Sequence, residues 1–450
     1  MHIALLVPVC SRNQTYNSIE DTPFMKYLYP SFKNTIEDGY IYTFYIGYDD
    51  DDTFYENNNV IEGIQLHRLT DCQHAPASAW NKLADISFNS EIKHDYFFQI
   101  GDDVVLETPG WTSRFISRLK EHNNVGIVGP CHMNNLVGRQ QQGKPFVIEN
   151  AFVSRKHLET FGYLFHPLIK NWYCDDWITR IYDFSFSEIQ VNYTCRNAVM
   201  DRYRVENPLN ISEYIEEGQK TLNSRRVLSY CVFGDKPKYC LGMVKNLEQI
   251  KVLFPGYNVW IYLGNDVPQE YIDKYKTFDN VTLIHNDFTG LLITIHRYFP
   301  LDKDFDVVLV RDADSRFGPR DLWCIQHFLR SSYNVFTIRD HYYQMRPLMA
   351  GQTGVKRMNL SIEDNLKEFV LSKSNVNYYQ NDQDFIEKYI FVPHRDKTVA
   401  YSEFHRYGEK ETVVIPVPRK SDEDFCGNVY LFDGDEEYVQ FTLHAENKIR

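Results

Sequence analysis

The chain has 450 residues, which is long for one hydrophobic core, so we expect two or three domains. Apolar residues make up 43% and aromatic residues 15%, a content that supports packed domains and argues against a disordered chain. The net charge of -13 comes without any basic block, which argues against a protein that binds nucleic acid.

The cysteine pattern and the apolar runs indicate the compartment. The nine cysteines are scattered, odd in number and never spaced as CxxC, which is typical of reduced thiols rather than of disulfides or a zinc knuckle. The opening stretch MHIALLVPVC has no basic flank and predicts a first strand instead of a signal peptide. No apolar run approaches the roughly 18 to 20 residues that cross a bilayer, so we expect a soluble, cytoplasmic protein with no transmembrane segment.

Short apolar strands alternate with helical patterns along the first half, which predicts α/β units and a largely parallel sheet. The acidic run from Asp49 to Asp52 is expected to be a solvated turn, because runs of like charge usually face water. The predicted strands and the helix between the last two are, in chain order, IALLVPV, IYTFYIGY, DYFFQIGDDVVL, TSRFISRLKEH and NVGIVGP.

A polar stretch separates this half from a second half with the same layout. Residues 205–225, within RYRVENPLNISEYIEEGQKTLNSRR, predict a linker or a bridging helix, and the strand VLSYCVFG begins after it. Each half places an acidic pair at the end of a later apolar strand and a second acidic cluster about 70 residues further on. We therefore expect two copies of one domain type, at 1–204 and 226–450.

The stretch VVLVRDADSRFGPRDL puts four charges at the end of a buried strand. In open α/β sheets, ligands bind at the carboxyl ends of strands, and residues two apart in an extended segment share a side. Asp312 and Asp314 therefore predict a site for Mg2+ or Mn2+, because a cation relieves the repulsion between two neighbouring carboxylates. Arg311 and Arg316 add donors for phosphate oxygens or for those carboxylates. A bare Asp-x-Asp pair also occurs on solvated turns, so this interpretation depends on the buried strand.

Two other uses of this motif do not fit the residues. A haloacid-dehalogenase-like phosphatase needs Thr or Val at the fifth position, close to the first strand, whereas Arg316 stands there and the strand lies deep in its domain. An EF-hand needs Gly at the sixth loop position and Glu at the twelfth, where this chain has Phe317 and Trp323.

The second half resembles nucleotide-sugar glycosyltransferases of the GT-A fold, and most closely a family with the strand-end signature RDADSR that occurs in bacteria and large DNA viruses. The resemblance covers residues 226–430, and Gln352 with Thr353 departs from it where an aromatic residue is usual. The segments that carry the resemblance in combination are RVLSYCVFG, YNVWIYLG, VVLVRDADSRFGPRD, FTIRDHYYQMRPLMAGQTGVK and NYYQNDQDFI.

The resemblance implies a UDP- or GDP-sugar donor held together with Mn2+ or Mg2+. Asp314 would be the main metal ligand, and Asp312 would contact the metal or the ribose. The other residues that would contact the nucleotide sugar are Arg311, Arg316, Gly351 and Lys356.

The same resemblance implies a catalytic carboxylate near the reacting carbon, which would be Asp382 or Asp384. In an inverting reaction this group acts as general base on the acceptor hydroxyl, and the sequence leaves open whether the reaction inverts or retains configuration. A late histidine is a further metal ligand in many such enzymes, although a lone histidine is more often a core or surface residue. The alternative candidates are His341, His394, His405 and His444.

The first half resembles the same fold more distantly. HIALLVPVCSRN is similar to a first strand and nucleotide loop, in which Arg12 would contact the donor. FFQIGDDVVL is similar to a metal strand whose first acidic position is Gly101, so that Asp103 would bind the metal and Asp102 would support donor binding.

The segment NAFVSRKHLETFGYLFHPLIKNWYCDDWITRIY resembles the acceptor segment of glycosyltransferases in which an acidic pair precedes Trp. Asp175 or Asp176 would then be the catalytic base of the first half. The alternative is that this pair caps a helix N-terminus, where carboxylates accept from free N–H groups and balance the helix dipole.

We therefore expect an α/β protein with two Rossmann-like GT-A domains, each a mostly parallel mixed sheet flanked by helices. The expected function is metal-dependent transfer of sugars from nucleotide sugars to a glycan acceptor, with one or two active sites. The alternatives are that one domain only binds glycans or dimerises, or that the protein is a metal-dependent phosphohydrolase. The sequence leaves a homo-oligomer open, and a viral protein would work in the host cytoplasm.

Overall fold

The computed structural model describes residues 1–11, 14–143, 145–182, 186–198, 210–285, 291–421, 424–434 and 436–439. The chain divides into two compact units, Met1–Leu222 and Asn223–Arg450. Among the described residues, each unit holds an eight-stranded mixed sheet flanked by helices, which confirms the expected α/β class with two Rossmann-like folds. Within the same residues, no helix combines the length and the apolar character needed to cross a membrane.

The first unit alternates strands and helices along its length. Its strands are β1 (His2–Val9), β2 (Ile41–Asp49), β3 (Val60–Ile61), β4 (Ile64–Gln65), β5 (His67–Leu69), β6 (Tyr96–Gln99), β7 (Val104–Leu106), β8 (Ile127–Cys131), β9 (Phe152–Ser154) and β10 (Ser187–Asn197). Its helices are α1 (Tyr29–Thr35), α2 (Thr53–Asn57), α3 (Pro76–Phe88), α4 (Trp111–Glu121), α5 (Met133–Gln141), α6 (Arg155–Phe161), α7 (Cys174–Ile181) and α8, which runs Ser212–Asn223 across the boundary.

The sheet of the first unit has the order β5-β2-β1-β6-β9-β8-β10-β7. Strands β5, β2, β1 and β6 run parallel, and β9 lies antiparallel between β6 and β8. Alternate residues of β1 pack into two cores on opposite faces, for example Leu5 and Leu6. Because both faces are covered, this strand reads as a continuous apolar run.

The second unit repeats this alternation. Its strands are β11 (Arg226–Val232), β12 (Asn258–Leu263), β13 (Val281–His285), β14 (Val307–Arg311), β15 (Val335–Arg339), β16 (Gln352–Lys356), β17 (Thr398–Ser402), β18 (Glu411–Val413), β19 (Tyr430–Asp433) and β20 (Glu436–Val439). Its helices are α9 (Pro237–Leu253), α10 (Gln269–Tyr275), α11 (Ile293–His296), α12 (Pro319–Arg330), α13 (Ile362–Leu371), α14 (Asn381–Ile386) and α15 (Val392–His394).

The second sheet has the order β13-β12-β11-β14-β16-β15-β17-β18. When the β3–β4 hairpin and the edge strands β7 and β18 are set aside, seven strands remain in each sheet and can be numbered in chain order. Both sheets then have the strand order third, second, first, fourth, sixth, fifth, seventh. In both, the sixth strand is antiparallel to its two neighbours. The carboxyl ends of the first, second and fourth strands therefore meet at one edge of each sheet, where a ligand site is expected.

The structure refines three local expectations. The predicted strand DYFFQIGDDVVL breaks after Gln99, and β7 pairs antiparallel with β10 instead of continuing β6. The helix within 205–225 packs on the first unit, where Ile215 and Leu222 join the core. The acidic run after β2 is a solvated turn only in its middle, because Asp51 is exposed in a turn whereas Asp49 and Asp52 are buried. Asp52 accepts hydrogen bonds from nearby donors at the start of α2, which satisfies its charge locally.

Candidate active sites

The second unit has a cleft of about 760 Å3 beyond the carboxyl ends of β11 and β14. This volume is within the range of small-molecule sites. Three carboxylates line it: Asp312 and Asp314, which follow β14, and Asp382 in the first turn of α14. The structure therefore brings together three of the residues that the sequence singled out.

Asp312 owes its position to a close approach of the backbone at Gly351. Arg311, which precedes Asp312, pairs with Gln352, which follows Gly351, between the antiparallel strands β14 and β16. A Cβ atom at Gly351 would overlap the carboxylate of Asp312. Only glycine leaves room for the carboxylate there, and the Asp312 side chain is 46% exposed toward the cleft.

Asp314 lies deeper, on a backbone held from several sides. The carbonyl of Ala313 accepts from Asn246 Nδ2 and Arg316 Nη1, both at 3.0 Å, and the carbonyl of Asp314 accepts from the Tyr430 N–H at 2.8 Å. Lys238 Nζ lies 3.1 Å from Asp314 Oδ2. Burial raises the pKa of Asp314, the charge of Asp312 raises it further, and Lys238 opposes both effects. The carboxylate pair therefore attracts further positive charge.

Arg297, at the end of α11, connects two of the three carboxylates. Its side chain is only 4% exposed; Nη1 pairs with Asp312 Oδ1, and Nη2 lies 2.7 Å from Asp382 Oδ2. The sequence reasoning missed this residue, and the only signal for it is a charge within the apolar stretch ITIHRYFP. Lys238 was missed as well, although the polar loop GDKPK after β11 indicates a strand-end site.

The structure separates the two late carboxylate candidates. Asp382 lines the cleft, and its Oδ1 accepts from the N–H of Gln383 at 2.9 Å. Burial raises the pKa of Asp382, although Arg297 acts in the opposite direction. Asp384 does not line the cleft; its carboxylate accepts from Tyr378 Oη at 2.6 Å and pairs with Lys373 and with Arg346, of which Arg346 lines the cleft.

Three predicted donor-binding cations do not line this cleft. Arg311 is buried and lies 2.7 Å from Asp321, and Arg316 pairs with Glu437 at 2.6 Å. Lys356 faces the first residue of β14, at the opposite end of the strand from the acidic pair, and its Nζ donates to a backbone carbonyl. The candidate histidines His341, His394 and His405 do not line the cleft either. The fourth candidate, His444, lies outside the described residues.

The cleft residues fit a hard divalent cation that shares its ligands with a substrate. Among the described residues, no three His, Cys, Asp or Glu side chains converge as a complete metal site. Asp312 and Asp314 supply two oxygen ligands, and the raised pKa of Asp314 reflects in part a repulsion that a cation would relieve. Mg2+ and Mn2+ are commonly held by one or two carboxylates together with water and phosphate oxygens.

The first unit has a cleft of about 520 Å3 beyond the ends of β1, β2 and β6. Asp102 and Asp103 line it, together with Asp49 from the end of β2. Gly101 stands two residues beyond the last residue of β6 that pairs with β1, as Asp312 does after β14 in the second unit. Arg12, the predicted donor contact, lies outside the described residues.

Asp175 and Asp176 lie in the first turn of α7 but do not line the cleft. Burial and then the charge of Asp176 raise the pKa of Asp175 to about 6, while Asp176 lies 3.2 Å from Arg139. Glu149, which the sequence reasoning missed, lines the cleft and accepts from Asn135 at 2.7 Å, and burial raises its pKa. Neither aspartate is the N-cap residue, a position held by Tyr173 without a side-chain hydrogen bond.

Comparison with known proteins identifies structural likenesses but no family. No family model matches the chain, and no curated protein matches it. The mannosyltransferase PcManGT from Pyrobaculum calidifontis, in complex with GDP-Man and Mn2+, is 12% identical with a TM-score of 0.28, covering 44% of this chain and 59% of its own. The galactosyltransferase LgtC, in complex with donor and acceptor sugar analogs, is 13% identical with a TM-score of 0.29, covering 39% and 73%.

A third solved structure is 4-diphosphocytidyl-2C-methyl-D-erythritol synthase from Anaerococcus prevotii. It is 12% identical with a TM-score of 0.28, covering 42% of this chain and 91% of its own. At such TM-scores these likenesses carry no argument about function, which must come from the geometry of the clefts.

Proposed function

We propose that the second unit is a metal-dependent glycosyltransferase that moves a sugar from a UDP- or GDP-sugar to a glycan acceptor. The observation that carries this proposal is the convergence of Asp312, Asp314 and Asp382 on one cleft, with the buried Arg297 between two of them. Two carboxylates at a strand end suit a divalent ion and a diphosphate, and a third with a raised pKa suits proton uptake.

The reaction forms a bond between the acceptor hydroxyl oxygen and the anomeric carbon of the donor sugar. The bond from that carbon to the diphosphate oxygen breaks, and its electron pair leaves with the nucleoside diphosphate. The hydroxyl proton passes to the Asp382 carboxylate in an inverting reaction. Arg297 orients Asp382 through its 2.7 Å contact and keeps the carboxylate ionised before the proton arrives.

A bound Mn2+ or Mg2+ would neutralise the negative charge of the departing diphosphate. Asp314 and Asp312 are the residues that would hold the ion. Lys238, now 3.1 Å from Asp314, would turn to a phosphate oxygen when the donor occupies the cleft.

We propose the same activity for the first unit, so that the chain is bifunctional, with domains at 1–204 and 226–450 joined by 205–225. Three observations favour this over a purely glycan-binding or dimerising unit. The strand order is shared, Asp103 lines an open cleft, and Asp175, whose pKa of about 6 suits a general base near neutral pH, stands three residues after Trp172, which lines that cleft. A cytoplasmic location, a viral origin and a homo-oligomer stay predictions.

The test uses the purified 450-residue chain with Mn2+ and a panel of UDP- and GDP-sugars. We expect slow release of free UDP or GDP from one donor, together with a rise in melting temperature that only this donor produces. Asp314→Asn should abolish the release and the rise that belong to the second unit, and Asp103→Asn those of the first. Asp384→Asn is the matched control, because its carboxylate lies outside the cleft.

A phosphohydrolase gives a different result in the same assay. It would hydrolyse simple phosphate esters such as p-nitrophenyl phosphate, with no preference for nucleotide sugars. That outcome would overturn the transferase proposal even if Asp314→Asn removed the activity, because both reactions use the same carboxylates.

A further inference from the structure

Both units expose an aromatic side chain at the same place beside the cleft. Tyr379 lines the cleft of the second unit and is 81% exposed, and Trp172 lines that of the first and is 58% exposed. The next residue in each unit has a left-handed backbone: Gln380 with φ 73° and Tyr173 with φ 71°. This conformation is uncommon for side chains larger than glycine, so its presence at the same place shows that the two units share this turn.

The aromatic residue stands three positions before a carboxylate with the same geometry in each unit. Asp382 Oδ1 accepts from the N–H of Gln383, and Asp175 Oδ1 accepts from the N–H of Asp176, both at 2.9 Å. This match identifies Asp382 and Asp175 as equivalent residues in the two repeats. The residue with the left-handed backbone lies between the exposed aromatic residue and the helix, and the carboxylate lies in the first turn of that helix.

The second cleft has a further apolar wall in the segment 341–349. Met345 is 58% exposed and lines the cleft together with Tyr343. Arg346 ties this wall to the aromatic segment, because its Nη2 donates to Gln380 Oε1 at 2.9 Å. The mouth of the cleft therefore has apolar surfaces fixed beside a proton-accepting group.

We propose that Tyr379 and Trp172 are acceptor platforms, on each of which the apolar face of a pyranose ring stacks; on Tyr379 a sugar hydroxyl would then face Asp382, which lines the same cleft. This inference rests on the proposed function. A pyranose presents C–H groups on its faces and hydroxyls around its edge, which matches an exposed aromatic ring next to a carboxylate. The donor would occupy the Asp312 and Asp314 end of the cleft, so the stacked ring belongs to the acceptor.

The experiment compares Tyr379→Ala and Tyr379→Trp with the wild-type chain, using methyl glucoside, methyl galactoside and methyl mannoside as acceptors with Mn2+ and the active donor. Tyr379→Ala should raise the acceptor KM about tenfold, and Tyr379→Trp should restore it, because a larger ring stacks at least as well. Acceptor-independent release of the nucleoside diphosphate and the donor KM should stay within about twofold. Tyr438→Ala is the matched control, because Tyr438 is 48% exposed but does not line the cleft.

Two results would overturn the platform in the second unit. An unchanged acceptor KM in Tyr379→Ala would show that the ring does not contact the acceptor. A donor KM that rises with the acceptor KM would show that Tyr379 stacks on the nucleobase or the donor sugar. If the wild-type chain releases no nucleoside diphosphate from any donor, the proposed function itself fails, which is distinguishable from both.

The first unit is tested without catalysis, through the fluorescence of Trp172. Of the other tryptophans, Trp111 and Trp177 are almost completely buried, whereas Trp80 lines the same cleft, so the change that belongs to Trp172 is the part that is lost in Trp172→Phe. Titration with the same methyl glycosides should shift the emission to shorter wavelength, and Trp172→Phe should abolish the shift. An equal shift in the Trp172→Phe variant would contradict the platform in the first unit.

Discussion

Replacing Arg297 by Met tests whether this residue holds the second cleft together. The Arg297 side chain is only 4% exposed, and its two nitrogens reach Asp312 and Asp382. Met fills much of the same volume but leaves both carboxylates without their shared cation. The larger part of the penalty falls on Asp382, because its side chain is 12% exposed, whereas Asp312 at 46% keeps access to water.

Breaking a buried ion pair by removing one partner costs about 3–5 kcal/mol of unfolding free energy. In a unit of this size, 1 kcal/mol lowers the melting temperature by roughly 2–4 °C. We therefore expect the melting temperature of the second unit to fall by about 6–20 °C at neutral pH in Arg297→Met.

The loss should depend on pH, with a sign that follows from Asp382. Burial already raises the pKa of this carboxyl above its ordinary value, and removal of Arg297 raises it further. A folded state with the higher pKa binds the proton more tightly than the unfolded chain, so stability falls as pH rises through that range. The deficit of Arg297→Met should therefore be smaller at pH 5 than at pH 8.

Differential scanning calorimetry of the 450-residue chain at both pH values measures these effects. Adding Asp382→Asn to Arg297→Met should recover a large part of the loss, because it removes the unpaired charge. The matched control is Asp384→Asn, whose carboxylate pairs with Lys373 and Arg346, and it should not rescue the variant. A deficit below about 1 kcal/mol, an equal deficit at both pH values, or equal rescue by Asp384→Asn would refute this reasoning.

Three further predictions follow from other parts of the structure. Gly351→Ala should abolish the thermal stabilisation of the second unit by Mn2+, because the new Cβ atom would displace the Asp312 carboxylate. By contrast, Gly138→Ala in α5 should add about 0.5–1 kcal/mol of stability, because a Cβ atom there meets open space. In the Gly351→Ala variant, the initial rate of sugar transfer by the first unit should rise as the pH passes through about 6, where Asp175 loses its proton. Adding Asp175→Asn should remove this pH dependence of the initial rate. Burial lowers the pKa of Lys356 to about 7. Between pH 7 and 10 the unfolded chain therefore holds a proton that the folded chain has lost, so the free energy of unfolding rises with pH over this range. Denaturant titration should therefore find Lys356→Met more stable than the wild type at pH 6, by on the order of 2 kcal/mol, with no advantage at pH 10; a constant difference would contradict this.

Much of the fold could be predicted because local patterns report burial. The helical spacing in TSRFISRLKEH predicts the helix found at Trp111–Glu121, and the apolar run IALLVPV predicts the strand His2–Val9. The predicted strand DYFFQIGDDVVL failed at one point, because a continuous apolar pattern cannot show that the chain turns at Gly101 and that β7 pairs with a different strand. Pairing partners are set by tertiary packing, which single-sequence periodicity does not record.

The acidic strand end after β14 was readable from the sequence by itself, since a buried strand that stops at charges needs a partner at its carboxyl end. The sequence by itself did not show which of the neighbouring residues belong to the site. Gly351 and Lys356 stand on one short stretch of chain, yet β16 runs antiparallel to β14, so one lies beside Asp312 and the other at the far end of the sheet. Arg297 joins carboxylates 15 and 85 positions away along the chain, a contact created only when helix and sheet pack. Local sequence patterns determine which segments are buried, whereas the long-range approach of charges through a packed core decides which side chains form the site.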